Sequence, residues 1–119
     1  MTMRLLYIAA SDPCTHERAQ ELLDALLVAA SFGAEVSLLF QDDGIWQLLP
    51  DQRSDLLGRR SLGAQLDALP LFDVEALYVD AHSLGERNLH ADELRLPVRP
   101  LQRDALAALV RAHDQVIRL

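Results

Sequence analysis

The residues of this 119-residue chain that could do chemistry gather just after its apolar runs. Ser11, Asp12 and Cys14 follow the first run, Asp42 and Asp43 the second, and Asp80 and His82 a third. Carboxylates in such places act as general bases or phosphoacceptors, and a thiolate beside an imidazole makes a nucleophile and its base. Cys14 stands close to the start of a predicted helix, where the helix dipole favours a thiolate, and His82 could approach it across a shared rim. A lone cysteine and a loop histidine are common, however, and nothing in their spacing requires them to meet. Four scattered histidines with one cysteine offer no zinc spacing, and the remaining three, His16, His90 and His113, read as surface residues. No glycine occurs between Ser11 and Arg18, so neither a phosphate-cradling loop nor a dinucleotide fingerprint is present.

These residues need a scaffold that brings strand ends together. Arg4 to Ala10 (RLLYIAA), Val36 to Phe40 and Ala76 to Val79 are apolar enough for strands covered on both faces. Pro97 to Arg99 and Val116 to Leu119 read as two shorter strands. Between the first two, Leu22, Leu23, Leu26, Leu27 and Ala30 recur at helical spacing opposite Glu17, Gln20, Glu21 and Asp24, and Gly33 ends the run. Leu62 to Leu69 predicts a short helix stopped by Pro70, Gly85 to Leu96 a helix fragment and loop, and Leu101 to Ala112 an amphipathic helix. The polar segment from Pro50 to Ser61 reads as a surface loop or frayed helix. Strands alternating with helices imply βαβ units. The expected fold is α/β, a three-layer α/β/α sandwich around a mainly parallel sheet of about five strands, in one domain spanning residues 1–119. In such a sheet the chemistry-bearing residues share the rim beyond the C-terminal strand ends.

That rim suggests a phosphoacceptor, because Asp12 and Asp80 resemble the acidic pocket of response-regulator receivers. Three features oppose it. The last strand has no following helix, Pro97 to Pro100 offers no hydroxyl, and no lysine stands at the rim. A carboxylate pair without its cation is a solvated pair.

Composition narrows the classes further. A formal charge of −7 and a pI near 4.9 oppose direct nucleic-acid binding, which draws its affinity from Lys and Arg on phosphates. With half its residues hydrophobic, no apolar run of about 18 residues and no leader pattern, the chain is expected to be soluble and cytoplasmic. A single cysteine suits a reducing compartment.

The most informative stretch is Val36 to Pro50, VSLLFQDDGIWQLLP: a central strand, a turn at Asp42-Asp43-Gly44, and a short helix ending before Pro50. The turn carboxylates are expected to cap that helix, with Gly44 allowing the change of direction. Ile45, Trp46, Leu48 and Leu49 point in too many directions for one short helix to bury, and Ala25 to Ala30 is apolar all round, including Leu26, Leu27 and Val28. Ile45, Trp46, Leu48, Leu49, Leu26, Leu27 and Val28 are therefore the candidate partner-facing residues. Trp46 alone is as readily explained by packing in its own core.

At this stretch the sequence resembles the DsrE/DsrF-like sulfur-relay family, in its TusC-like (DsrF-like) branch. The likeness extends through LLDALLVAAS (Leu22 to Ser31), DDGIWQLLPDQ (Asp42 to Gln52), SLGERNL (Ser83 to Leu89) and DQVIRL (Asp114 to Leu119), with DGIWQLLP the most specific segment. The resemblance implies a cytoplasmic heterohexamer with two copies each of TusB-, TusC- and TusD-like chains, passing persulfide sulfur between carrier proteins without a cofactor. It implies a destination as 2-thiouridine at the tRNA wobble position, or, for the DsrF-like alternative, dissimilatory sulfur oxidation. The family's sulfur-carrying cysteine belongs to the TusD-like subunit near the end of the third strand. The matching stretch here, ALYVDAHS (Ala76 to Ser83), has no cysteine, and persulfide chemistry requires a thiolate. The expected role is thus non-catalytic assembly and docking.

Overall fold

A computed structural model describes residues 2–13, 17–49 and 62–119; Cys14, His16 and the loop expected between Pro50 and Ser61 lie outside the described residues. The chain runs β1 (Arg4–Ala9), α1 (Arg18–Ser31), β2 (Glu35–Phe40), a 3₁₀ helix (Asp42–Leu48), α2 (Leu62–Asp67), a second 3₁₀ turn (Leu69–Phe72), β3 (Ala76–Asp80), α3 (Ala81–Glu86), a third 3₁₀ turn (Ala91–Glu93), β4 (Arg99–Leu101), α4 (Arg103–Arg111) and β5 (Gln115–Arg118). All strand pairs are parallel, in the order β4-β3-β2-β1-β5, so β2 is central as its apolar sequence requires.

Register sorts the strand side chains into two layers. Leu5↔Val36, Tyr7↔Leu38 and Ala9↔Phe40 put one alternating set on the α1 side. There Leu22, Leu23 and Leu26 of α1, Leu66 of α2 and Leu69 close over Tyr7, Leu38, Phe40, Leu77 and Val79. This is the main core. The other face is covered differently: α4, which carries the chain from one sheet edge to the other, lays half-buried Leu106 and Leu109 over Leu6, Ile8 and Leu39. No residue of α4 is fully buried.

Local chemistry adjusts several expected boundaries. Pro70 does not end structure but sits in the first turn of a 3₁₀ segment, where its missing N–H costs nothing. The fourth strand is Arg99–Leu101, two residues later than Pro97 to Arg99, since Leu101 is the residue that pairs with Asp80 and is buried. α3 begins directly at Ala81 because Asp80 caps it, accepting a hydrogen bond from the His82 amide (3.2 Å). His113, expected at the surface, is half-buried at the end of α4. Its Nδ1 donates to the Leu109 carbonyl (2.7 Å), leaving Nε2 as the partner of the buried Ser37 hydroxyl (2.9 Å). It bolts α4 to the central strand.

Gly44 proves necessary for a reason other than the one expected. Its φ is not positive; instead the 3₁₀ helix lies so close to the end of β1 that a Cβ at Gly44 would overlap the carbonyl oxygen and carbon of Ala9. That carbonyl also accepts from the Gln41 amide (3.0 Å), so it cannot retreat cheaply. Gly44→Ala should lower the unfolding free energy by about 3 kcal/mol, through forced backbone displacement; a denaturant midpoint equal to that of the wild type would show that the contact yields. Tyr7, 5 % exposed, has its hydroxyl pKa raised above 10.0 by burial. Because the folded value exceeds the unfolded one, the neutral hydroxyl favours folding below the unfolded value, and that stability drains away as the pH climbs through the folded value. Tyr7→Phe should flatten the alkaline decline in unfolding free energy relative to the wild type.

Candidate functional site

The C-terminal rim is a built structure centred on Asp80. The carboxylate, 7 % exposed, closes β3 and accepts from three donors: the His82 amide on Oδ1, and on Oδ2 the Ser83 hydroxyl (2.8 Å) and, more weakly, the Gln41 side-chain amide (3.4 Å). Ser83, fully buried, accepts in turn from the Asp42 amide (3.0 Å). A chain of hydrogen bonds thus runs from the turn after β2, through Ser83, to the end of β3. Asp42 occupies a left-handed conformation (φ 52°) that an Asp tolerates better than most residues.

The two turn carboxylates do not cap the 3₁₀ helix, which has no side-chain cap. Asp42 pairs with Arg118 (2.7 Å) across the end of β1, and Asp43 with Arg87 (3.1 Å), whose other nitrogen donates to the Ser83 carbonyl (3.1 Å). The acidic rim is therefore largely neutralised by arginines from β5 and from the turn after α3, where the sequence offers no lysine. These half-exposed pairs orient the loops more than they stabilise them. At the junction of β1 and β5 the Ala10 amide donates to the Leu119 carbonyl (2.9 Å), and buried Gln47 donates to the Ser11 carbonyl (3.0 Å). The crevice where an open α/β sheet would admit a ligand is bridged by the chain itself.

The expected chemical residues thus separate. His82 is exposed and faces Glu86 one helical turn on (3.5 Å), while its proposed partner Cys14 lies outside the described residues. Asp80 is a helix cap and hydrogen-bond hub. The strand order also differs from the 2-1-3-4-5 of receivers, which removes the fold that the phosphoacceptor reading with Asp12 and Asp80 needs. Among the described residues, no three His, Cys, Asp or Glu side chains are placed to hold a metal ion, and no helix is long and apolar enough to cross a membrane.

The candidate partner-facing residues divide too. Ile45, Leu48 and Leu26 are 0 % exposed within the main core, which corrects the expectation that they present surface: the 3₁₀ helix winds more tightly than an α-helix, and its close approach to β1 turns Ile45 and Leu48 inward together. Trp46, Leu49 and Leu27 are half-buried. Val28 is 56 % exposed, and near it in sequence Phe32, the α1 C-cap, is 87 % exposed. Leu71 (85 %) and Phe72 project from the 3₁₀ turn that packs against α1. Phe32 and Leu71 were missed because each adjoins a Gly or Pro, where hydrophobic periodicity has ended and exposure cannot be read from phase.

Known proteins match this arrangement over its whole length. The chain is 43 % identical over 119 residues, covering all of both chains, to the Protein TusC homolog of Pseudomonas aeruginosa. It is 33 % identical over 116 residues to Protein TusC of Escherichia fergusonii, covering 97 % of this chain and 98 % of that one. The crystal structure of the ychN protein from E. coli superposes with a TM-score of 0.80 over 99 % of this chain and 100 % of that one, at 14 % identity, a likeness of fold. The profile of the DsrE/DsrF-like family matches residues 3–119, and with the parallel three-layer fold and these full-length relatives the conclusion is that the chain belongs to the DsrE/DsrF-like family.

Proposed function

We propose that this chain is a non-catalytic subunit of a cytoplasmic sulfur-relay complex, a heterohexamer with TusB-like and TusD-like partners that delivers persulfide sulfur toward 2-thiouridine at the tRNA wobble position. The observation that carries this reading is the end of β3, the place of the carrier cysteine in TusD-like chains. Here it holds Asp80, whose oxygens are committed to the His82 amide, Ser83 and Gln41, and which serves the fold. A nucleophile needs a free, accessible thiolate, and this position supplies a buried structural carboxylate.

The full-length relatedness to TusC proteins supports the relay assignment, and the exposed Val28, Phe32 and Leu71 support a docking role, since large apolar side chains left in water mark surfaces that another chain covers. Half-buried Trp46 and Leu49, in and at the end of the 3₁₀ helix that follows the central strand, would add an aromatic anchor to such an interface. Co-purification from the native host, followed by measurement of tRNA 2-thiouridine, tests the proposal directly. Recovery of sulfur-oxidation proteins with unchanged thiolation on gene deletion would instead support the DsrF-like role.

Cys14→Ser should leave 2-thiouridine at the wild-type level; its loss while the complex still assembles would return the thiol to the centre of the mechanism. Trp46→Ala should weaken partner affinity by about 2 kcal/mol while the isolated chain keeps its thermal midpoint. The opposite pattern, stability lost and affinity kept in the folded fraction, would place Trp46 in the core.

A further inference from the structure

The two faces of the sheet carry opposite charge beside exposed apolar side chains. On the α1 side, Val28 and Phe32 continue an outward stripe of α1 that begins with Glu21 and Ala25, and Leu71 and Phe72 project from the 3₁₀ turn packed against that helix. Asp73 and Glu75 follow directly in the chain, and Glu75 has the strand phase of Leu77 and Val79, which face α1. Glu21, Asp73 and Glu75 form no ion pair among the described residues. Of the arginines on this side, Arg95 is held by Asp67 and Arg18 stands at the opposite end of α1 from Phe32.

The α4 side is the reverse. Tyr78, which packs in the α4 layer, is the register partner of Arg99, so that arginine projects to the same side. Arg103 and Arg111 stand exposed on α4 itself. These three arginines form no ion pair among the described residues. Of the acids nearby, Glu35 is taken by Arg4 and Asp114 accepts from the Arg4 amide (2.7 Å), which leaves Asp104. Val110 and Val116, each 41 % exposed, supply the apolar part: Val110 lies on the same helical flank as Arg103, and Val116 is the register partner of Leu6 on β5.

We infer that copies of this chain stack head to tail, the basic α4 face of one seated on the acidic α1 face of the next. Charge decides the direction. A two-fold pairing of α1 faces would bring Glu21, Asp73 and Glu75 against themselves, and a two-fold pairing of α4 faces would do the same with Arg99, Arg103 and Arg111. Stacking unlike faces instead sets acids against arginines around apolar centres. The net charge of −7 opposes indiscriminate association, so a contact that matches charge locally is the one that gains. The two faces look away from each other across the sheet; one pair of molecules cannot engage both, and each added copy leaves a face open. The contact uses the α1 face to which docking is assigned above, but it needs no other chain and stands apart from the sulfur-relay reading.

The test uses the full chain under reducing conditions, by sedimentation velocity over a concentration series. Reversible association beyond a dimer is expected, weakened about tenfold or more between about 0.1 M and about 1 M salt, as the Debye length falls from about 10 Å to about 3 Å. Two variants separate the geometries: Leu71→Arg with Glu75→Arg on the α1 face, and Arg103→Glu with Arg111→Glu on the α4 face. All four side chains are exposed, so circular dichroism and the thermal midpoint should be unchanged. Each variant alone should be monomeric, and an equimolar mixture should form a dimer that grows no further, because one intact face of each kind remains. The milder Glu75→Gln and Arg111→Gln should each weaken association about threefold without touching the fold. A wild-type chain that stays monomeric at the highest soluble concentration, association indifferent to salt and to both milder variants, or a mixture in which the two variants stay monomeric would overturn the inference. Failure to recover TusB-like or TusD-like chains from the host, with stacking intact, would count against the proposed function alone.

Discussion

The close packing of the turn after β2 onto the end of β1 is the constraint on which the rest of the rim depends. Gly44 has room for a hydrogen and no more against the Ala9 carbonyl. With the backbone held there, Ile45 and Leu48 point into the main core, Gln47 reaches the Ser11 carbonyl, and the Asp42 amide meets Ser83. A shift by one atom's width at Gly44 would disturb all of these at once, because packed interiors do not deform continuously.

From that contact the rim is tied together by polar groups that a catalytic reading would otherwise claim. Asp80 ends a strand, caps a helix and anchors Ser83, three structural tasks for one buried carboxylate. Arg118 and Arg87 then answer Asp42 and Asp43, one from β5 and the other from the turn after α3. Buried polar groups that satisfy one another specify a single arrangement, and they leave little capacity for binding a substrate.

The covering of the sheet is uneven, and that asymmetry also bears on association. One face carries α1, α2 and the 3₁₀ segments over a deep core, while the other has α4, with no fully buried residue, over Leu6, Ile8 and Leu39. His113 compensates by bonding α4 to Ser37, a polar fastening where apolar area is scarce. Large side chains left outside, Phe32 and Leu71 above all, belong to the heavily covered side. Surplus apolar surface there does not reflect a thin core.

Much was legible in the sequence by itself. Apolar runs marked β1, β2 and β3, helical spacing marked α1 and α4, and the strand-helix alternation implied a parallel three-layer sheet, because periodicity reports which faces must be buried. The family resemblance was most specific at DGIWQLLP, where Gly44 abuts the Ala9 carbonyl and Ile45 and Leu48 enter the main core. Only the tertiary structure decided which of the apolar residues face inward. Ile45 and Leu48 went into the core because the direction of a side chain in a short 3₁₀ helix is set by what the helix rests on, and on α1 Leu26 faces the sheet while Val28 stays out. The same holds for charge: Asp42 finds Arg118 at a sequence separation of 76, and His113 finds Ser37 at the same separation, pairings that no local pattern encodes. Local propensity is written along the chain, whereas the partner of a buried or paired polar group is chosen by the register of strands far apart in it.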